Sequence, residues 1–152
     1  MPGRVGLDDY DFLPWWAALM AKTLATQRSL KHLRKLGWQC AIVEKWQMRP
    51  QAAYGVRVDV WGFGDILACR PAIRRPETDD RHWYDPAIAL IQTFPLSGWK
   101  DHAEKMQEPE IKAAIETWKA AGGIVFMHGW AFKSKDGTRG GKKGWVLREE
   151  SI

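Results

Sequence analysis

Three acids lie inside segments of the chain that otherwise read as β-strands, and they are the first candidates for chemistry. Asp65 follows the tripeptide GFG and precedes the apolar run ILA, which places a carboxylate where a strand leaves a bend. Asp59 lies in the alternating run VRVDVWG, and Glu44 lies in WQCAIVEKW. Burying a carboxylate is costly unless it is paired, hydrogen-bonded or bound to a metal. The alternatives are a turn-stabilising role for Asp65 and solvent-facing positions for Asp59 and Glu44.

Apolar patterns predict the elements that must position these acids. Leucines at mixed helical spacings predict a helix from about Trp16 to Leu36, and a second helical region with an internal break runs from Trp99 to Ala121. Aromatic and β-branched content predicts five strands, at 38–46, about 56–69, 87–94, 124–132 and 144–150. The order α-β-β-β-α-β-β predicts an α/β fold with a mixed central β-sheet flanked by helices.

Three further segments show no such pattern. Residues 1–14 contain Pro2 and Gly3 and predict a flexible arm ahead of a single domain over residues 15–152. Residues 70–86 are rich in proline and charge, which predicts an exposed loop longer than most connections. Residues 133–144 read KSKDGTRGGKKG, and this glycine-rich composition predicts a flexible loop between the last two strands.

The order of elements, the sequence GFGDILA on the second strand and the polar pair in LIQTF on the third resemble the PD-(D/E)XK nuclease superfamily, in particular small phage-type members with a glutamine in the third-strand signature. The resemblance covers about residues 24–148. It implies a restriction-endonuclease-like fold, DNA as the partner, and a metal-dependent phosphodiester hydrolase of nuclease or resolvase type. The implied cofactor is Mg²⁺ or Mn²⁺.

The resemblance also implies roles for single residues. Asp65 and Gln92 would hold the metal ion, and Thr93 follows directly in the catalytic strand. Phe94 occupies the position at which the family has a lysine. The alternative for Gln92 is that its amide satisfies a neighbouring backbone group.

One carboxylate and one neutral amide would hold Mg²⁺ weakly, because this ion prefers charged oxygen ligands. Glu44 or Asp59 is therefore expected to supply further negative charge to the metal site. The lysine that the third strand lacks is expected on the next helix, at Lys105 or Lys100. The alternative for both lysines is a solvated position on an amphipathic helix.

The charge of the chain favours a polyanionic partner. The net charge is +5, and no acid occurs between Phe12 and Val43. Basic residues of the first helix and of the glycine-rich segment are expected to contact the DNA backbone; they are Arg28, Lys31, Lys35, Lys133, Lys135, Arg139, Lys142 and Lys143. For the helix, the alternative is an ordinary solvated face.

Ten tryptophans are several times the usual number for a chain of 152 residues. Trp38, Trp46, Trp61, Trp130 and Trp145 fall within or beside predicted strands, where packing in or around the core is expected. Stacking on unpaired bases is the alternative, and it suits Trp145 best because two lysines precede it.

Composition also limits the function classes. The chain lacks the roughly 18 consecutive apolar residues that cross a bilayer and the apolar run of a signal peptide, so a cytoplasmic protein without a membrane partner is expected. Cys40 and Cys69 are expected to be buried thiols, not a disulfide or a zinc site. A non-catalytic nucleic-acid-binding module and a phage-type interaction protein on the same fold remain alternatives to the nuclease. The oligomeric state is open, a homodimer included.

Overall fold

Three helices and seven strands make up the described part of the chain, which in the computed structural model comprises residues 15–48, 55–71 and 88–152. The helices are α1 (Trp15–Lys35), α2 (Trp99–Lys105) and α3 (Pro109–Ala120). The strands are β1 (Gln39–Ile42), β2 (Lys45–Met48), β3 (Gly55–Val58), β4 (Ile66–Cys69), β5 (Ile88–Pro95), β6 (Ile124–Ser134) and β7 (Lys143–Ser151). The predicted arm over residues 1–14 and most of the predicted loop over 70–86 lie outside the described residues.

Five of the strands form one mixed sheet in the order β1-β4-β5-β6-β7. Every pairing in it is antiparallel except that of β5 with β6, and the segment carrying α2 and α3 makes the crossover that a parallel pair requires. When only the strands of this sheet are counted and α2 and α3 are taken as one helical segment, the order along the chain is α-β-β-β-α-β-β. The predicted α/β fold with a mixed central sheet flanked by helices is confirmed.

Two of the predicted strands are wrong in detail, because each is broken in two. The pairing of β1 with β4 ends at Ile42 and Ile66, and the chain then continues into a separate two-stranded sheet of β2 and β3. The residues between β3 and β4 form a turn in the middle of the predicted strand 56–69. Strand-forming residues continue through the first break, so the sequence pattern does not reveal it, whereas Gly62 and Gly64 mark a bend at the second without showing that the strand divides there.

Both faces of the central sheet are covered over β5, whose residues 89–94 are all buried. The core on the α1 face consists of Leu30, Leu33, Trp38, Ile66, Ala68, Ala89 and Ile91. The core on the opposite face joins the sheet to α2 and α3 and consists of Phe63, Leu90, Phe94, Met106, Ile111, Ile115, Val125 and Met127. The polar residues Gln92 and Thr93 are thus fully buried between the two layers of helices.

Neither cysteine is fully buried. Cys69 is exposed and Cys40 is half-buried, so the prediction that both are buried is wrong. Cys69 points with Leu67 to the uncovered face of β4, whereas Cys40 packs against the core on the α1 face from the edge strand β1. No helix within the described ranges is long and apolar enough to span a membrane.

Candidate functional site

Glu44 and Asp65 are brought together where the chain leaves the five-stranded sheet. The carbonyl oxygen of Asp65 accepts hydrogen bonds from the backbone N–H groups of both Val43 and Glu44, at 2.9 and 3.4 Å. Two residues of one strand therefore face a single residue of the other, which is the arrangement of a β-bulge. The bulge ends the pairing of β1 with β4 and fixes the backbone of Glu44 beside that of Asp65.

A tight turn brings Asp59 back to the same place. Val60 and Gly64 exchange two backbone hydrogen bonds of 2.9 Å, so the residues between them reverse the chain. Trp61 and Gly62 occupy left-handed conformations with φ of 52° and 78°, which for a tryptophan costs about 1 to 2 kcal/mol. Phe63 anchors the turn because its ring is fully buried in the core facing α3. Strained backbone of this kind is concentrated at functional sites.

The result is a cluster of three carboxylates. Ligand oxygens of Glu44, Asp59 and Asp65 all lie within 4.8 Å of one another, with Asp65 buried and the other two half-buried. At such a distance two negative charges repel by about 3 to 4 kcal/mol for an effective dielectric constant near 20. Positive charge near the cluster is needed to offset this repulsion.

Asp65 is oriented by three donors on one of its oxygens. Its Oδ2 accepts hydrogen bonds from Gln92 Nε2 at 2.8 Å, from the Thr93 N–H at 2.7 Å and from Thr93 Oγ1 at 3.2 Å. The Thr93 N–H lies just beyond the end of β4, since the Asp65 N–H pairs with the carbonyl of Ile91 two residues earlier. The side-chain carboxylate of Asp65 thus accepts from the Thr93 N–H the hydrogen bond that a backbone carbonyl would accept if the pairing of β4 with β5 continued. Thr93 Oγ1 is also 2.8 Å from Thr26 Oγ1 of α1.

Gln92 has a buried oxygen that faces no donor. The residue is 0% exposed, its Nε2 is bound to Asp65, and its Oε1 has no hydrogen-bond partner within the part of the chain that the structure describes. Leaving a buried carbonyl oxygen unsatisfied costs about 1 to 3 kcal/mol. Because the carboxamide lies against the carboxylate cluster, an amide oxygen here suits a bound cation or a donor on a ligand.

Lys105 supplies one positive charge to the cluster. Its Nζ lies 3.1 Å from Asp59 Oδ2, and the lysine side chain is 31% exposed against 10% for Asp59. Lys100, the other predicted candidate, lies near Glu104 at 3.8 Å with 85% of its side chain exposed. Ionised, the three acids carry three negative charges, and the Lys105 ammonium pairs with that of Asp59.

The six residues predicted for the site therefore lie together; they are Glu44, Asp59, Asp65, Gln92, Thr93 and Lys105. Phe94, at the position where a lysine was expected from the resemblance, is fully buried and stacks on His102 with ring centroids 4.1 Å apart. Thr26 was not among the residues predicted for the site. Its signal was a polar residue one turn from Ser29 on a helix face that also carries Ala25 and Leu33, all four of which are buried.

The predicted nucleic-acid contacts fall into two groups. Lys133 and Lys143 lie at the paired ends of β6 and β7, and Lys135, Arg139 and Lys142 lie in the connection between these strands. Arg28 joins this group, since its guanidinium lies 3.2 Å from the ring centroid of Trp145 in β7. Lys31 and Lys35 are exposed on α1. Lys35 comes seven residues after Arg28 on α1, which places it about 10 Å further along the helix axis and away from Trp145.

The predicted glycine-rich loop is shorter and more ordered than its composition indicates. The strands continue to Ser134 and from Lys143, so only residues 135–142 connect them. Asp136 Oδ1 accepts hydrogen bonds from Ser134 Oγ, from Thr138 Oγ1 and from the Thr138 N–H. The hydrogen bond from Ser134 and those from Thr138 lower the pKa of Asp136 to about 2.

A second polar network lies on the α1 face of the sheet. His128 is fully buried, with Nδ1 3.0 Å from Ser29 Oγ and Nε2 2.9 Å from Glu149 Oε2, and Trp130 Nε1 donates to the same Ser29 oxygen at 2.9 Å. The hydrogen bond with His128 lowers the pKa of Glu149. Ser29 and His128 are closed to solvent, so this network joins α1 to the sheet and offers no surface for a substrate.

Comparison with models of known protein families gives no match for this chain, and comparisons with curated proteins and with solved structures give none either.

Proposed function

We propose that this protein is a metal-dependent phosphodiester hydrolase that acts on DNA. The observation that carries the proposal is the convergence of three carboxylates within 4.8 Å beside a buried glutamine oxygen to which no residue of the described ranges donates. The sequence resemblance to the PD-(D/E)XK superfamily points to the same reaction and rests on Asp65 and Gln92. Asp65 and Gln92 thus belong both to the carboxylate cluster and to the motif that the sequence resembles.

The residues present fit Mg²⁺ or Mn²⁺. Carboxylate and amide oxygens are hard ligands of the kind that Mg²⁺ prefers, and Glu44, Asp59, Asp65 and Gln92 would hold the ion. When bound, such an ion activates water at neutral pH and polarises a phosphoryl oxygen.

The protein's own groups prepare the site for a phosphodiester. Gln92 and Thr93 fix Asp65 through three hydrogen bonds, so that the carboxylate loses no rotamer freedom when substrate binds. The Lys105 ammonium, held by Asp59, supplies positive charge where negative charge accumulates on the phosphate during attack by water. It takes the part that the missing third-strand lysine plays in the family that the sequence resembles.

The basic residues at the ends of β6 and β7 would hold the sugar-phosphate backbone. Contacts of this kind carry little base specificity and release counterions. The association constant for duplex DNA is then expected to fall with salt concentration to a power of about 0.9 per phosphate contact.

A binding module without catalysis is the second candidate. One observation favours it: Phe94 occupies the family's lysine position and is packed in the core, so no cation can be placed on that strand. The same fold and basic surface would then hold DNA without cutting it.

The test is a cleavage assay on single-stranded, duplex and branched DNA with Mg²⁺ or Mn²⁺. Asp65→Asn and Glu44→Gln are expected to lower the cleavage rate by at least about a hundredfold, since the ion that they hold is worth several kcal/mol in the transition state. Lys105→Gln should lower it without weakening metal binding as much. Glu116→Gln, which changes an exposed acid on α3, is the matched control and should leave the rate unchanged. Salt-sensitive DNA binding with no metal-dependent cutting by the wild-type protein would decide for the binding module.

A further inference from the structure

Strands β6 and β7 extend beyond the rest of the sheet. The pairing of β6 with β5 ends at Trp130, whereas its pairing with β7 continues to Ser134 and Lys143. Residues 131–134 and 143–146 therefore form a two-stranded extension, called the ribbon below. Because β5 and β6 are parallel, the ribbon leaves the sheet at the edge where Gln92 and Thr93 hold Asp65.

The ribbon carries an exposed pair of aromatic rings. Phe132 and Trp145 are cross-strand partners with ring centroids 5.5 Å apart, and they are 58% and 46% exposed. Arg28 of α1 places its planar guanidinium over the tryptophan ring at 3.2 Å. Aromatic faces and a guanidinium plane are the groups on which nucleic acid bases stack. A two-stranded ribbon gains little stability from rings that remain half in water.

Positive charge lies on both faces of the ribbon. Lys143 is two residues from Trp145 on the same strand and so on the face of the aromatic pair, whereas Lys133, next to Phe132, points to the opposite face. The connection adds Lys135, Arg139 and Lys142 against the single acid Asp136. Asp136 is engaged by Ser134 and Thr138 within the turn. The surface therefore complements a polyanion whose bases are accessible.

We infer that Phe132 and Trp145 form a stacking platform for unpaired bases, so that the substrate of the site is DNA with a single-stranded stretch. This inference rests on the proposed function. A paired base has both faces covered by its neighbours in the duplex, whereas an unpaired base offers a face to an aromatic ring. Phe132 lies on the α1 face of the sheet, as His128 and Trp130 do, whereas Gln92 lies with Leu90 and Phe94 on the face of α2 and α3. A DNA strand that reaches both the aromatic pair and the site would therefore pass around the end of β5.

The test compares the binding of two labelled probes in EDTA, so that no strand is cut. The probes are an oligothymidylate and a blunt duplex, each of about twenty nucleotides per strand, which exceeds the usual site size of one binding surface. Phe132→Leu and Trp145→Leu keep apolar bulk in the ribbon but remove the ring. Each is expected to weaken oligothymidylate binding about tenfold, as stacked aromatics do elsewhere, and to change duplex binding less than about twofold.

Two further variants separate stacking from loss of structure. Trp145→Phe keeps a ring and is expected to retain most of the affinity for oligothymidylate, while Leu36→Ala, which shortens an exposed apolar residue beyond the end of α1, should change neither probe. The double leucine variant combines Phe132→Leu with Trp145→Leu. If it bound oligothymidylate with wild-type affinity, or if the wild type bound oligothymidylate and duplex equally well, the inference would be overturned. A loss in Trp145→Phe as large as that in Trp145→Leu would overturn it as well.

The inference and the proposed function fail separately. Asp65→Asn should bind oligothymidylate as the wild type does while losing cleavage. Ring-dependent binding without any cutting by the wild type would overturn the hydrolase and leave the stacking platform intact. Cleavage of blunt duplex at the wild-type rate by the double leucine variant, with unchanged oligothymidylate affinity, would overturn the platform alone.

Discussion

Gln92 differs in charge from the other candidate ligands of the site. It is a neutral side chain beside three carboxylates, it donates to Asp65, and its own buried oxygen accepts from no donor among residues 15–48, 55–71 and 88–152. A neutral amide avoids the repulsion that a fourth carboxylate would add to the cluster without metal. It does so at the cost of weaker attraction for a cation.

Gln92→Glu reverses this balance. Without metal the variant is expected to be less stable than the wild type by about 1 to 3 kcal/mol, because a hydrogen bond to Asp65 is replaced by a buried like-charge contact. With Mn²⁺ it should be stabilised more than the wild type, since a charged ligand has replaced a neutral one. The measurement is the melting temperature in EDTA and with increasing Mn²⁺.

Gln92→Leu is the partner variant, because it removes the oxygen without adding charge. It should show a smaller Mn²⁺-induced rise in melting temperature than the wild type. Equal Mn²⁺-induced rises in all three proteins would show that no ion binds beside residue 92.

At the residue scale the sequence was informative where a polar side chain interrupts an apolar strand. Asp65 and Gln92 stand out in this way, and the structure joins them by a 2.8 Å hydrogen bond. Glu44 and Asp59 were ambiguous, since each fits an ordinary solvent-facing position in an alternating strand. What places them beside Asp65 is the bulge at Val43 and the turn after Asp59, and neither leaves a periodic signal.

At the scale of elements, the turn between Asp59 and Asp65 sets the spacing of the carboxylates. Gly62 has φ of 78°, and a Cβ added there would lie 3.3 Å from Ile111 Cδ1. Gly122, after α3, has φ of 90° with open space around the added Cβ. The two glycines thus share the backbone requirement and differ in their surroundings.

Gly62→Ala and Gly122→Ala are expected to lower the free energy of unfolding by similar amounts, about 1 kcal/mol, through the left-handed strain. Only Gly62→Ala should also weaken Mn²⁺ binding, because Ile111 must move or the turn must shift. Urea unfolding gives the first quantity and calorimetric titration gives the second. A weakened Mn²⁺ affinity in Gly122→Ala would show that strain alone, not the position of the turn, is responsible.

Helix α1 illustrates why elements were predicted better than their packing. Its leucines at mixed spacings indicated a helix, and the helix is there. Leu24 and Leu36 are nevertheless exposed, while Thr26 and Ser29 are buried against the sheet. The buried face was set by hydrogen-bond partners on the strands, Thr93 for one and His128 for the other, which a single sequence does not place.

For the whole molecule, the network around His128 makes stability depend on pH. Partial burial lowers the pKa of His32, and the nearby His128 lowers it further, so the folded state favours the neutral ring. This contribution is complete above the ordinary histidine pKa near 6.5 and is lost as the pH falls through the lower folded value. Glu149 adds a second loss below its ordinary pKa near 4.5, because the hydrogen bond with His128 favours its charged form.

The free energy of unfolding, measured with urea between about pH 7.5 and pH 3.5, is therefore expected to decline in two steps. His32→Gln should flatten the step below pH 6.5, and Glu149→Gln the step below pH 4.5. Lys31→Gln, one residue from His32 but on the exposed face of α1, is the control and should leave both steps in place. An unaltered upper step in His32→Gln would assign that step to another group.

The candidate ligands of the site belong to two different sheets. Gln92 lies within β5 of the five-stranded sheet and Asp65 directly before β4, whereas Glu44 and Asp59 border the hairpin of β2 and β3. An ion held by all four would link the hairpin to the main sheet, so ion affinity and hairpin docking would be one coupled equilibrium. Substitutions in the hairpin that touch no acid would then tune the occupancy of the site from a distance.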